Sequence, residues 1–79
     1  MTNTDKLETA FSEALMIEKS LIIDDLTYQS IPEWDSISHM VLISELESMF
    51  DISLDTEDVI DMSSVLKAKE ILNKYDILF

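Results

Sequence analysis

Three groupings in this 79-residue chain combine residue types and spacings able to do chemistry. In Asp35-Ser36-Ile37 a carboxylate precedes a hydroxyl at the head of a long apolar run. His39, the sole histidine, follows Ser36 by about one helical turn, a spacing at which an imidazole can activate a serine. Residues 51–62, DISLDTEDVIDM, offer Asp51, Ser53, Asp55 and Glu57 at alternating positions, as the opening of a calcium loop does. Two of the three fail on their own requirements. The calcium loop needs glycine at its sixth position and a bidentate glutamate at its twelfth, where Thr56 and Met62 stand. A serine nucleophile needs preorganised donors for the tetrahedral intermediate, and a chain without glycine has no glycine-rich loop to supply them. One histidine and no cysteine leave no zinc set and no disulfide. The expectation is therefore a protein that is not itself an enzyme and holds no metal. Asp and Ser are also among the commonest helix N-caps, so capping is the ordinary account of Asp35-Ser36, and attachment of a group to the hydroxyl is the chemical one.

The elements that must position Ser36 follow from periodicity. Leu7, Ala10, Phe11, Ala14 and Leu15, with Glu18 beside them, share a face of a helix from Thr4 to about Ser20, with Thr4 as its cap. Without glycine its end is set only as preceding Asp24-Asp25. Residues 20–35 lack a sustained period, and Pro32 drives Ile31 to an extended conformation, so they form a long loop. Leu21, Ile23, Leu26, Tyr28 and Trp34 are expected to pin it to the core, with Ile22 or Ile31 as further anchors. A second helix begins at Asp35-Ser36 and runs to about Phe50, turning Leu42, Ile43, Leu46, Met49, Phe50 and His39 inward. Ile37, Met40 and Val41 fall outside that stripe; they are either a partner-facing patch or a surface covered by the loop. A short helix capped by Asp55 or Thr56 follows, then a last helix capped by Ser63 or Ser64. The last helix carries Val65, Ala68, Ile71, Leu72 and Tyr75 on one face, with Lys67, Lys69 and Lys74 toward water. The fold class predicted is all-α: one domain over residues 1–79, a small antiparallel four-helix bundle of three main helices and one short one.

At this point the chain resembles a known family. Asp-Ser-Leu at the start of the second of four helices is the modification motif of acyl carrier proteins, and Trp34-Asp35-Ser36-Ile37 is similar to it, with Ile37 conserving the volume of the leucine. LISELESMFDISLDTEDVIDMSSVLKAKEIL matches the family's layout downstream, so that the likeness covers roughly residues 33–73. Glu33-Trp34 stands where the family usually places a glycine. The resemblance implies a stand-alone carrier with a 4'-phosphopantetheine arm, taken from coenzyme A, attached to Ser36, with Asp35 and Ile37 completing the motif. It implies cargo held as a thioester and presented to partner enzymes; beside such an arm His39 reads as a half-buried residue shaping its base, or else as a solvent-facing, inert one. If cargo folds back, the resemblance points to Leu42, Ile43, Leu46, Leu54, Val59, Ile60, Met62, Val65 and Ile71 as its lining, all of which also read as plain core. The implied partners are a phosphopantetheinyl transferase, an acyl- or aminoacyl-loading ligase and acyl-transfer enzymes with basic patches. Fatty acyl, aminoacyl (D-alanyl included), hydroxyacyl and polyketide cargoes share these features.

Charge bears on partners independently. Seventeen acidic residues against five basic ones give −12, which disfavours nucleic acid and anionic lipid surfaces. Residues 20–66 hold eleven of the acids and no Lys or Arg, so a partner with a basic surface is attracted there. Ile37, Met40 and Val41 would be its apolar contact, with Asp35, Glu45 and Glu47 as charged contributors. The N-terminus shows no secretory pattern and no apolar run long enough to span a bilayer, so a cytoplasmic monomer without membrane insertion is expected. The rival reading keeps the fold and drops the serine chemistry: an unmodified acidic helical adaptor or inhibitor that fills a basic groove on its partner.

Overall fold

Helix starts in this chain are marked by short polar side chains, and the computed structural model, which describes residues 2–79, uses them as side-chain caps at three of the four α-helices, the exception being the short one after Asp55. α1 spans Asn3–Leu15. Its cap is Thr2 rather than Thr4, in a reciprocal box in which the Thr2 hydroxyl accepts from Asp5 N–H and the Asp5 carboxylate accepts from Thr2 N–H. The helix stops five residues short of the expected Ser20 because Met16 enters the left-handed region at φ 57°, which leaves Glu18 outside the helix and exposed. α2 spans Ser36–Phe50 with Asp35 as its cap, and Asp51 closes it at φ 54°. α3 is Thr56–Asp61 and α4 is Val65–Asn73, capped by Ser64, whose hydroxyl accepts from Lys67 N–H at 2.9 Å. The fold among the described residues is all-helical, with four α-helices and no strand. A radius of gyration of 11.1 Å matches the roughly 11.6 Å of a compact chain this long. No helix is long and apolar enough to cross a membrane among the described residues.

The core joins the three helical stripes that periodicity assigned to it. Leu7, Ala10, Phe11, Ala14 and Leu15 of α1 meet Leu42, Ile43 and Leu46 of α2 and Val65, Ala68, Ile71 and Leu72 of α4, with Trp34 and Met62 closing the ends. α1 and α2 form the principal helix pair. Two expectations for the loop are corrected. A turn of 3₁₀ helix at Lys19–Leu21 rotates the chain so that Ile22 is buried, while Leu21 and Ile23 point outward, about half exposed. Ile60, expected inside, is 75% exposed on α3.

The loop is long but not loose. Its carbonyls at Leu26 and Asp24 accept from the N–H groups of Val65 and Leu66, and Tyr28 N–H donates to the Ser63 carbonyl at 2.8 Å. The first amides of a helix have no partner within the helix. Here the loop supplies them for α4. Lys69 adds an ion pair to Asp24 at 2.7 Å, and Lys74 reaches Asp58 at 2.5 Å, so two of the three lysines expected to face water tie the last helix to the rest. Asp58 is buried, with Tyr75 Oη donating to its other oxygen at 2.6 Å. The Lys74 ammonium first, and the Tyr75 hydroxyl second, hold the Asp58 carboxyl below the usual carboxylate range.

Candidate functional site

The start of α2 is built by Asp35. Its backbone is extended, its carboxylate accepts from Ser38 N–H at 2.8 Å, and its carbonyl accepts from His39 N–H at 2.9 Å. The Ser38 amide, then the Ser38 hydroxyl, keep the Asp35 carboxyl below its ordinary range. Because Asp35 caps, Ser36 does not: it occupies the first helical position, exposed to solvent. The capping account of Asp35-Ser36 therefore applies to Asp35 alone.

Around this hydroxyl the helix surface is apolar and open. Ile37 is 77% exposed, Met40 59% and Val41 45%, so the loop does not fold over them. Glu45 and Glu47 lie further along the helix, both half-buried. Glu47 has a structural duty as well, since one of its oxygens accepts from Leu54 N–H at 2.8 Å and its carbonyl from Ile52 N–H at 3.1 Å, which fixes the turn out of α2.

Behind the exposed turn stands an aromatic cluster that residue spacing alone did not bring together. Trp34 is fully buried, edge-on to Phe11 and to Tyr28. Its indole Nε1–H donates to His39 Nδ1 at 3.0 Å, and the two rings lie at 25° to each other. The other imidazole nitrogen, Nε2, is 2.8 Å from the Val59 carbonyl of α3. Nδ1 accepts and Nε2 must donate, so the ring is the neutral Nε2–H tautomer. His39 and Ser36 share a helix turn, but both ring nitrogens are engaged elsewhere, and the pair is no nucleophile with its base. The signal that could have found this cluster was the placing of the only Trp and the only His on either side of Ser36.

Tyr28, His39, Val59, Ile60 and Met62 line a cleft of about 220 Å³ between the loop, α2 and α3. Of the residues expected to line a cargo site, Val59, Ile60 and Met62 border this cleft, whereas Leu42, Ile43, Leu46, Val65 and Ile71 are core, and Leu54 packs against it half-buried. A second, open groove of about 630 Å³ lies at the end of α1, where exposed Met16 and Leu21 are edged by Glu13, Glu18 and Glu33. Of the acids in residues 20–66, Asp24 and Asp58 are in ion pairs among the described residues. The Ser36 turn thus sits in a field that stays strongly negative.

No family model matches the chain, and no curated protein and no solved structure does either.

Proposed function

We propose that this chain is a carrier protein of the acyl carrier type, an antiparallel four-helix bundle that bears 4'-phosphopantetheine on Ser36 and holds an acyl or aminoacyl group as a thioester on its thiol. The observation that carries the reading is that Ser36 is freed from capping by Asp35 and stands exposed at the head of the longest helix, within an uncovered apolar patch. An exposed serine that leaves the cap to Asp35 and is followed on the same helix by exposed Ile37, Met40 and Val41 suits enzymatic attachment followed by presentation to other proteins. The 220 Å³ cleft on the same helix offers an apolar resting place for an arm or a small cargo.

Attachment links the phosphate of the arm to the Ser36 oxygen with loss of the hydroxyl proton and departure of the nucleotide part of coenzyme A. The Asp35 carboxylate already takes the Ser38 amide, so a phosphodiester on Ser36 would lie outside that bond, held covalently and favoured by the helix dipole. The acidic surface supports fast encounter with a transferase, loading ligase or acyl-transfer enzyme that carries a basic patch. Catalysis belongs to those partners. Incubation with coenzyme A and a broad-specificity transferase should add one arm to the wild-type chain and none to Ser36→Ala, read by intact mass.

The groove at Met16 and Leu21 favours one other reading, an acidic adaptor that binds a basic partner without modification. A wild-type chain left unloaded under conditions that load other carriers would select it.

A further inference from the structure

We infer that His39 is the positioning residue of the Ser36 turn, and that it positions only while its ring is neutral. Its three attachments run in three directions: Nδ1 accepts from the Trp34 indole, Nε2–H donates to Val59 of α3, and its backbone N–H is bonded to the Asp35 carbonyl in the cap of α2. The imidazole thus ties the end of the loop to α3, from a residue whose backbone belongs to the first turn of α2 beside Ser36. It also joins two walls of the 220 Å³ cleft, since His39 and Val59 both line it.

Protonation changes one of these ties and not the others. An imidazolium has an N–H at both nitrogens and no acceptor. Nε2–H continues to donate to Val59, whereas Nδ1–H would face the indole N–H, donor against donor, at what is now 3.0 Å. Trp34 is fully buried, so its N–H has no water to turn to unless the loop end moves away from the ring. Trp34 precedes the Asp35 cap directly, and its movement reaches Ser36 through two peptide units. The titratable groups around His39 do not hold the charge in place by pairing with it. From the loop there is the Tyr28 phenol, whose ring centroid is 5.4 Å away. On α2 there is the Asp35 carboxylate, bonded to Ser38 N–H. From α3 the residues lining the shared cleft are uncharged, and Asp58 is turned to Lys74 and Tyr75. The tie itself stands without the carrier reading; its consequence, that acid frees the base of the arm and opens the cleft beside it, rests on that reading.

Imidazoles titrate within about pH 5–8, and one Trp and one His make the observation unambiguous. The test follows the Trp34 indole N–H, the Ser36 amide and the His39 ring protons by NMR across that range, on the unmodified chain. In the wild type the indole and Ser36 signals should move together, with the midpoint of the His39 ring protons. His39→Asn places an amide oxygen where Nδ1 accepts, so the indole signal should keep its neutral-pH position and lose its pH dependence. An indole signal that stays fixed while the His39 ring titrates overturns the inference, as does a His39→Asn variant that titrates like the wild type. If His39→Asn proves unfolded by circular dichroism, the wild-type titration decides alone. None of these readings depends on whether Ser36 accepts an arm, which intact mass reports separately.

Discussion

The first turn of α2 and the junction of α3 with α4 treat their side chains in opposite ways. At the junction, a buried carboxylate, Asp58, is satisfied twice over by Lys74 and Tyr75, and Tyr75 in turn accepts from the Asp55 amide. At the turn, Ser36, Ile37, Met40 and Val41 are left facing solvent although the helix behind them is packed. The first arrangement is what stability asks of a polar group in a small core. The second adds nothing to stability, and a surface that does so is where an interaction with another molecule is expected. Substitutions should therefore separate the two regions, with loss of folding at one and loss of function at the other.

The largest effect on stability is expected at the junction. Asp58→Ala removes the acceptor of two strong hydrogen bonds and leaves the half-buried Tyr75 hydroxyl without its acceptor, a loss of about 1–2 kcal/mol in urea denaturation. Asp58→Asn, which keeps an acceptor for Tyr75, should lose less. Neither should alter loading of Ser36 at temperatures where the chain stays folded. A drop in loading with folding intact would join the two regions and break the contrast.

The pH dependence sharpens the same point. A carboxyl held low in the folded chain contributes stability that is complete above the unfolded value, about pH 3.9, and is lost as pH falls through the lowered folded value. Asp58 and Asp35 both have that sign. Wild-type stability should fall below about pH 4–5, and Asp58→Asn should fall less steeply over the same range because one of the two groups is gone. Equal slopes would show that Asp58 is not held low.

A gain is expected where α1 ends. Met16 sits at φ 57° with 88% of its surface exposed, so Met16→Gly relieves left-handed strain at little packing cost. It should stabilise the chain by about 1 kcal/mol, or roughly 4–8 °C in thermal midpoint. Asp51→Gly should gain less, because Asp tolerates that conformation better.

The smallest effect on stability belongs to the exposed patch. Ile37→Ser, Met40→Ser and Val41→Ser should each change stability by no more than about 0.5 kcal/mol, while slowing transfer of cargo to or from a partner enzyme. A large loss of stability would mean that the patch belongs to the core after all.

Much of this arrangement was legible in the residue pattern, and the parts that were not share a cause. The bounds of α2 could be read because a capping Asp and an unbroken apolar run are local features. The inward stripes of α1 and α4 obeyed their helical period. The anchoring of the loop by Ile22 rather than by Leu21 or Ile23 depended on a single 3₁₀ turn, which apolar content does not reveal. Lys74 does face water, with 62% of its side chain exposed, but its bond to Asp58 could not be read because that partner lies 16 residues away on another helix. Glu47 read as a charge free for partners because its bond to the Leu54 amide forms only once the chain has turned out of α2. At the site, spacing set Ile37, Met40 and Val41 off the core stripe but left open whether the loop covers them, and the Trp34–His39–Val59 connection needed three elements to meet.

The central claim is most directly tested by locating the modification in the protein purified from its own cells, using tandem mass spectrometry of the peptide that spans Trp34 to Val41. A phosphopantetheine mass borne by Ser36, and absent from Ser38, is the predicted result. A peptide carrying Ser36 unmodified in every molecule, or the group on Ser38, would contradict it.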